Sequence, residues 1–468
     1  MIAGSPDTVP GALPRVLFVT PHAFNAVTGG GITFSALFRG WPEDRIATVH
    51  NDPEPTTGDV CRRYFVLGRD ELDYAPPLPA IRRLLGRGAG GDGGPSGPTV
   101  GVNAAAGGGA GGGAEGGAEG GGRAGRWLRN AAIAALGDGF PERAVLTPRL
   151  AAWIEAFKPD VLYTILGSNG MMALTEAIRR RFALPMIVHV MDDWMSSRHR
   201  HGLLAPFLRH AMERRVRHAM QVASGHFSIS PAMTVAFSER YGRPFEAFQN
   251  TIDTARWLPR ARRAAAAGSP ADILYVGSIF PEAQLETLAS AARAVAMLDE
   301  SGFPATLTIS TPSGHAERHR ARLAIHPAIR LIDTIRDDDA FFARIAAADL
   351  LLLPVNFDAG SIAFIRYSMP TKVPAYLTTG APILAVGPAE VAQIAYAMAE
   401  GWAFTETRPG DEPLAAAIRL ALTDREGRER VMARARVVAR AHHDAGMVRA
   451  RFRARLTAIA GGGGPCSP

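Results

Sequence analysis

The chain has 468 residues, enough for two or three domains of roughly 150 residues, and its apolar runs fall short of the ~20 residues of a membrane-spanning helix. The net charge of +7 reflects an Arg-rich composition typical of high-GC coding. Since no aromatic-interleaved basic patch or zinc-finger spacing accompanies it, we predict no nucleic-acid partner. The two cysteines, Cys61 and Cys466, lie too far apart to suggest a disulfide framework or a cysteine metal site.

The first segment with a clear pattern is a buried strand, Arg15 to Thr20, after a disordered start at 1–14. The start lacks the basic and apolar regions of a signal peptide, so we expect a cytoplasmic protein. A loop from Pro21 ends in Gly29, Gly30 and Gly31, and a helix follows from about Ile32. The glycines let the backbone approach a diphosphate or an acceptor, or they merely make a tight turn. They lack the spaced fingerprint of dinucleotide-dependent oxidoreductases, which makes that class less favoured.

A Gly/Ala-rich segment at 86–125 interrupts the first domain, and we predict that it is a disordered insert. A helix from Leu146 to Phe157 and a strand from Val161 to Leu166 follow it. Ser168 and Asn169 then open another helix, where they cap its start or contact an acceptor.

Two carboxylates emerge from the strand in the sequence LPMIVHVMDDWMSS. The pattern buries Met186 to Met191 and places Asp192 and Asp193 at the carboxyl end of the strand, where ligands of parallel sheets bind. Either carboxylate can accept hydrogen bonds from sugar hydroxyls. Because adjacent strand residues point to opposite faces, the pair need not converge on one ion, and we predict no metal. His189 is expected to be buried.

The segment 198–217 combines six arginines with apolar residues at helical spacing. Such a basic amphipathic helix fits two descriptions. It can lie on an anionic membrane surface, which would make the protein peripheral at the inner membrane. Alternatively, it is an ordinary surface helix whose apolar face packs on its own domain.

A second parallel sheet is expected to begin at Ile273 to Gly277, after an Arg/Ala-rich linker near 255–270. Ser278 follows that glycine, and the loop 279–284 contains no Lys or Arg. The chain ends with a long Arg/Ala helix at 424–460 and a tail at 461–468.

The segment 350–388 reads as strand, loop, short helix and strand. Ser368, Pro370, Thr371 and Lys372 stand at the start of the short helix, where hydroxyls, backbone N–H groups and an ammonium favour an anion such as phosphate. Asp358, in the loop after the first strand, is a candidate sugar or nucleotide contact. The alternative is an ordinary α/β unit in which the lysine is a surface charge.

This segment resembles the donor-binding region of retaining glycosyltransferases of the family 4 type. Their pattern of Lys, Glu-Tyr-Leu, Gly and Pro is matched by Lys372, Tyr376, Leu377, Gly380 and Pro382. Three positions depart from the family: Ala375 replaces the glutamate that grips the ribose, Met191 replaces a histidine, and Ser278 replaces an arginine. The Ser-x-Pro-x-Lys loop at 368–372 suggests a divergent branch.

The resemblance implies an α/β protein of GT-B fold, with Rossmann-like domains at 15–260 and 268–422 facing across a cleft, and a C-terminal helix that can cross back. It implies transfer of a sugar, with retention of the anomeric configuration, from a nucleotide diphosphate sugar to a hydroxyl acceptor. The nucleotide sugar is a co-substrate, and no cofactor is expected. The acceptor would be a glycan, a glycolipid or a small metabolite, as in cell-surface polysaccharide synthesis. The implied catalytic residues are Asp192 and Lys372, and the implied donor site consists of Gly29, Gly30, Gly31, Gly277, Ser278, Ser368, Pro370, Thr371, Lys372 and Tyr376. The three departures keep open a non-catalytic relative that binds a nucleotide sugar or supports a partner enzyme.

Overall fold

The computed structural model describes residues 13–25, 29–52, 56–75, 142–261 and 268–462. The predicted insert at 86–125 lies outside these ranges, as do most of the predicted terminal tails.

The first half of the chain alternates strands and helices, with a short 3-10 turn at Glu43–Arg45. In chain order the elements are β1 (Val16–Val19), α1 (Gly29–Phe38), β2 (Ile46–His50), β3 (Tyr64–Val66), β4 (Leu72–Tyr74), β5 (Glu142–Ala144), α2 (Pro148–Phe157), β6 (Val161–Thr164), α3 (Asn169–Phe182), β7 (Met186–Val190), α4 (Trp194–Ser197), α5 (Ala205–Val222), β8 (Gly225–Ser228), α6 (Pro231–Tyr241), β9 (Glu246–Ala247) and α7 (Thr254–Trp257).

Seven of these strands form one parallel sheet in the order β3-β2-β1-β6-β7-β8-β9, and β4 and β5 form a separate antiparallel pair. The central strands β1, β6 and β7 are buried at every position. Helices cover both faces of such sheets, which explains why these strands are almost continuously apolar rather than alternating. The order reverses between β1 and β6, so the loops after these strands border a crevice.

The second half repeats this architecture after a 3-10 turn at Leu258–Arg260. Its elements are β10 (Ala271–Val276), α8 (Leu285–Glu300), β11 (Ala305–Ser310), α9 (Ser313–Leu323), β12 (Ile329–Ile332), α10 (Asp338–Ala347), β13 (Leu350–Pro354), α11 (Ala359–Ile365), α12 (Val373–Thr378), β14 (Ile383–Val386), α13 (Ala392–Glu400), β15 (Phe404–Glu406), α14 (Asp411–Thr423), α15 (Arg425–His442) and α16 (Ala445–Ala460).

The second sheet is also parallel, in the order β12-β11-β10-β13-β14-β15. Its order reverses between β10 and β13, which places the loops after these two strands at the crevice where ligands of doubly wound sheets bind. The segments predicted to carry Ser278 and Asp358 are therefore neighbours in space.

The C-terminal helix pair joins the two halves. The sequence pattern predicts one long helix at 424–460, but the structure breaks it into α15 and α16. The break occurs because the Asp444 side chain caps α16 by accepting from the N–H of Met447 at 3.0 Å, while Ile252 forms a bridge with Asp444. Helix α16 then packs on α1, and Phe452 is fully buried in the core of the first domain.

No helix among the described residues is both long enough and apolar enough to cross a membrane.

Candidate active site

Three consecutive residues of the second domain are bonded to the first domain. The Ser230 hydroxyl donates to the carbonyl of Tyr367 at 2.9 Å, the Ser368 hydroxyl donates to Asp192 at 2.7 Å, and the Asn250 amide donates to the carbonyl of Met369 at 3.0 Å. These bonds fix the chain just before Lys372 against the ends of the first sheet. The predicted donor segment and the predicted catalytic carboxylate therefore meet.

The contact between Asp192 and Ser368 limits what each can do. Both side chains are buried, and the carboxylate lies two residues beyond the end of β7. A serine hydroxyl has a single proton, so Ser368 cannot donate to a phosphate group while it donates to Asp192. In this arrangement Ser368 positions the carboxylate.

Lys372 places an amino group at this crevice, which is positively charged when protonated. Its Nζ lies 4.1 Å from the centre of the Tyr275 ring, and a Cβ added at Gly277 would lie 3.0 Å from Nζ. Gly277 has a φ of +127°, a backbone conformation that favours glycine, and the ammonium lies close to its Cα. Burial lowers the pKa of Lys372 to about 7, because removing water disfavours the charged form. No carboxylate of the described chain forms an ion pair with it, so a bound anion would supply the missing countercharge.

The loop 277–284 is held in place from several sides. The Tyr275 hydroxyl donates to the carbonyl of Ser278 at 2.7 Å, and the Gln284 amide donates to the same carbonyl at 2.6 Å. The His315 Nδ1 donates to the carbonyl of Ile279 at 2.8 Å. A preorganised loop of this kind keeps its backbone in one conformation for a ligand.

His315 is a site residue that the sequence interpretation missed. Its half-buried ring lies on the loop that lacks Lys and Arg, with its centre 5.3 Å from that of Phe280. The available signal was its position in the first turn of α9, directly after a buried strand of the second sheet.

Tyr376 supports the site from within the core. Its buried hydroxyl accepts from the N–H of Val276 at 3.3 Å, at the end of β10. Burial raises the pKa of this hydroxyl well above its usual value. The side chain therefore fixes the strand end from which Gly277 and Ser278 continue.

The three glycines form the first turn of α1, since the helix begins at Gly29 rather than near Ile32. A Cβ at Gly31 would lie 2.4 Å from side-chain atoms of Asn25, so only glycine fits without a shift. One turn into the helix, Thr33 donates to Asn250 at 2.7 Å, and Asn250 contacts Met369. This chain of contacts places the start of α1 near the predicted donor segment.

Asp193 has a structural environment that differs from that of Asp192. Its two carboxylate oxygens accept from the Arg240 guanidinium at 2.9 and 2.8 Å, and Ser196 donates to it at 2.8 Å. Only 3% of the residue is exposed. The charge of Asp193 is thus neutralised by a bidentate ion pair.

The remaining predicted contacts lie at helix starts. Ser168 caps α3 by accepting from the N–H of Met171 at 3.2 Å, and Asp358 caps α11 by accepting from Ser361 at 2.9 Å. The Asn169 Oδ1 is buried and has no hydrogen-bond partner within the described ranges.

The start of α8 is occupied by a side chain. Asn356, which is fully buried, accepts from the N–H groups of Glu286 and Thr287 at 3.1 and 3.2 Å. These two donors are therefore satisfied within the protein. Lys372 and the loop 277–284 remain as candidate anion-binding elements of the crevice.

His189 is completely buried, and its Nδ1 is hydrogen-bonded to the Tyr163 hydroxyl. Burial lowers the pKa of this histidine to about 3, which keeps the imidazole neutral.

The described part of the chain contains no cluster of three or more His, Cys, Asp or Glu residues suited to a metal ion.

No protein-family model and no curated protein sequence matches the chain. Several solved structures, however, are similar to the chain in fold. HepE from Anabaena, in complex with UDP-glucose, is 12% identical with a TM-score of 0.57, over 95% of this chain and 100% of that one. A UDP-forming α,α-trehalose-phosphate synthase from Burkholderia xenovorans is 12% identical with a TM-score of 0.55, over 96% and 100%.

Sucrose-phosphate synthase from Thermosynechococcus elongatus is likewise 12% identical, with a TM-score of 0.59, over 96% of this chain and 100% of that chain. At such low identity these likenesses establish the fold alone. Together with the two parallel sheets, they confirm the predicted fold class: the chain has the GT-B fold, with two Rossmann-like domains facing each other across a cleft.

Proposed function

We propose that this chain is a glycosyltransferase that moves a sugar from a nucleotide diphosphate sugar to a hydroxyl acceptor, with retention of the anomeric configuration. The observation that carries the proposal is Lys372, whose side chain is partly buried, has no carboxylate partner among the described residues, and lies at the crevice beside the loop 277–284. The UDP-glucose complex of HepE, which shares the fold, supports a nucleotide sugar as donor.

The chemistry requires stabilisation of a leaving group. As the bond to the sugar breaks, negative charge develops on the nucleotide diphosphate, and a preorganised ammonium such as that of Lys372 stabilises it. No protein nucleophile is needed, because a donor phosphate oxygen can take the proton of the acceptor hydroxyl. Asp192, held by Ser368, accepts a hydrogen bond from the sugar or the acceptor and thereby orients the reacting groups. This mechanism needs no cofactor or metal ion.

The acceptor is proposed to be a hydroxyl of a glycan, glycolipid or small metabolite. One setting is the cytoplasmic stage of the synthesis of a cell-surface polysaccharide.

Calorimetry tests the donor site. UDP, GDP, ADP and dTDP and their sugars are titrated into the purified chain and into Lys372→Met, which keeps the length of the side chain and removes its charge. Lys158→Met is the matched control, since Lys158 is the only other lysine and is exposed. We expect one nucleotide to bind selectively, with affinity about 10- to 100-fold weaker in Lys372→Met, as for a lost charge-assisted hydrogen bond. Binding to none of them by the folded chain would overturn the donor site.

Turnover is measured separately from binding. Hydrolysis or transfer releases the nucleotide, and NMR of the anomeric proton distinguishes retention from inversion. The same assay in the presence of a chelator tests metal independence.

A non-catalytic relative is the second candidate, because the loop 277–284 lacks cations and Ala375 offers no carboxylate to the ribose. Nucleotide-sugar binding without turnover would favour it.

A further inference from the structure

A cluster of large apolar side chains is exposed at the start of α5. Leu203 and Phe207 are 81% and 75% exposed, and Leu204 is 43% exposed. These residues lie within five positions of one another, so they form a single apolar patch, which we call the 203–207 patch. Exposing such side chains to water is unfavourable, and clustered exposure of this kind marks an interaction surface.

The outward face of α5 continues the patch as a basic surface. The helix buries Met212 and Val216 against the first domain. On the opposite side, at helical spacing from Phe207, stand the exposed side chains of His210, Arg214 and Arg217. The helix therefore carries apolar residues at its start and cations along the same outward face.

Acidic residues are scarce in the segment that forms this surface. The segment 198–217 contains six arginines and one acidic residue, Glu213. Glu213 is paired with Arg209 at 3.0 Å, and it stands one helical turn before Arg217 on the same outward face. The outward face thus has a strong local excess of positive charge.

A cavity of about 380 Å³ opens beside this face, between α3 and α5. Its lining combines the apolar side chains of Leu166, Met172 and Met186 with Arg180, Arg214, Arg215 and His218 and with one carboxylate, Glu176, which is paired with Arg180 and His218. The Thr175 hydroxyl, also part of the lining, is buried and has no hydrogen-bond partner in the described part of the chain. Three arginines against one paired carboxylate leave the walls with a net positive charge above an apolar floor, which suits an anionic headgroup attached to an acyl chain.

From these observations we propose that the 203–207 patch and the outward face of α5 dock on an anionic lipid bilayer. Leu203, Leu204 and Phe207 would insert at the level of the headgroups, while Arg214 and Arg217 would bind lipid phosphates. Charge complementarity favours this occupant over a neutral bilayer or a second copy of the chain, since two copies would bring like charges together.

The position of the surface connects it to the cleft. Helix α4, which begins directly after Asp193, packs on α11 of the second domain, and the 203–207 patch follows six residues after α4 ends. Bilayer docking would bring the rim of the cleft close to the lipid surface. This role rests on the proposed transferase activity, for which a lipid-linked acceptor would enter the cleft from the membrane.

Vesicle flotation tests the proposal with the full chain. Vesicles of phosphatidylcholine alone are compared with vesicles that also contain phosphatidylglycerol, at low and high salt. We expect binding only to the anionic vesicles and weaker binding at high salt. Arg214→Gln with Arg217→Gln should weaken partitioning about 30-fold, and Leu203→Ser with Phe207→Ser should weaken it at least tenfold.

Matched controls separate the patch from general charge and hydrophobicity. Arg318→Gln with Arg330→Gln removes two exposed arginines of the second domain, and Leu420→Ser removes an apolar side chain that is 55% exposed there. Both should bind vesicles like the wild type. Nucleotide affinity, measured in every variant, should stay unchanged, so that failure of docking is distinguishable from failure of the donor site.

Three results would overturn the proposal. One is absence of binding to anionic vesicles by the folded full chain. Another is unchanged binding in both patch variants. The third is a concentration-dependent dimer of the wild type, seen by light scattering and lost in the Leu203→Ser, Phe207→Ser variant, together with no binding of the wild type to vesicles. That result would assign the patch to a second copy of the chain.

Discussion

Nucleotide affinity should fall as the pH rises above 7, because Lys372 must be protonated to bind a diphosphate. Burial lowers the pKa of this side chain from 10.5 to about 7 in the free protein. A bound anion favours the ammonium and raises that pKa again. Below pH 7 the lysine is already charged and binding is strongest, whereas above pH 7 binding must take up a proton.

The size of the effect follows from the linkage between the two equilibria. Between the pKa of the free protein and the higher pKa of the complex, affinity falls about tenfold per pH unit, or roughly 1.4 kcal/mol. Because half of the free protein is already deprotonated at Lys372 near pH 7, the dissociation constant should rise about 50-fold from about pH 7 to about pH 9, which is roughly 2.3 kcal/mol. In Lys372→Met the group is absent, and the affinity should be weak but nearly independent of pH.

The assay is calorimetry of the preferred nucleotide from about pH 7 to about pH 9, above the phosphate pKa near 6. Repeating each titration in buffers of different ionisation enthalpy counts the protons taken up. Lys158→Met should follow the wild-type curve. A flat wild-type profile, or an equal slope in Lys372→Met, would refute the assignment of the anion site to Lys372.

Two further substitutions test the geometry around the cleft. Ser368→Ala removes a hydrogen bond from the buried Asp192 carboxylate. Urea titrations should show the free energy of unfolding lowered by about 1.5–3 kcal/mol, and a change below about 0.5 kcal/mol would contradict the bond. Gly31→Ala places a Cβ against Asn25 and should lower the free energy of unfolding by about 1–3 kcal/mol. Gly58→Ala is the control, because no atom lies within 4 Å of the added Cβ, and it should change stability little. Equal effects of the two substitutions in thermal unfolding would contradict the close approach at Gly31.

The sequence alone determined the architecture, because burial on both faces of a parallel strand leaves a local mark. The runs that became β1 and β13 are apolar at every position, and each is followed by the polar loop expected at a strand end. The ends of helices were less certain. Gly29 to Gly31 have weak helix propensity, yet they form the first turn of α1, where Gly31 packs closely against Asn25.

Only the tertiary structure decided what the candidate residues contact. Ser368 and Asp192 are 176 positions apart, and no local pattern predicts that one donates to the other. Asp192 and Asp193 look alike in sequence, but Arg240, remote along the chain, neutralises just the second. Likewise, the lowered pKa of Lys372 arises from burial at the crevice between β10 and β13. Local sequence encodes the secondary structure and its buried faces, whereas charge and hydrogen bonding at the site depend on residues that only folding brings together.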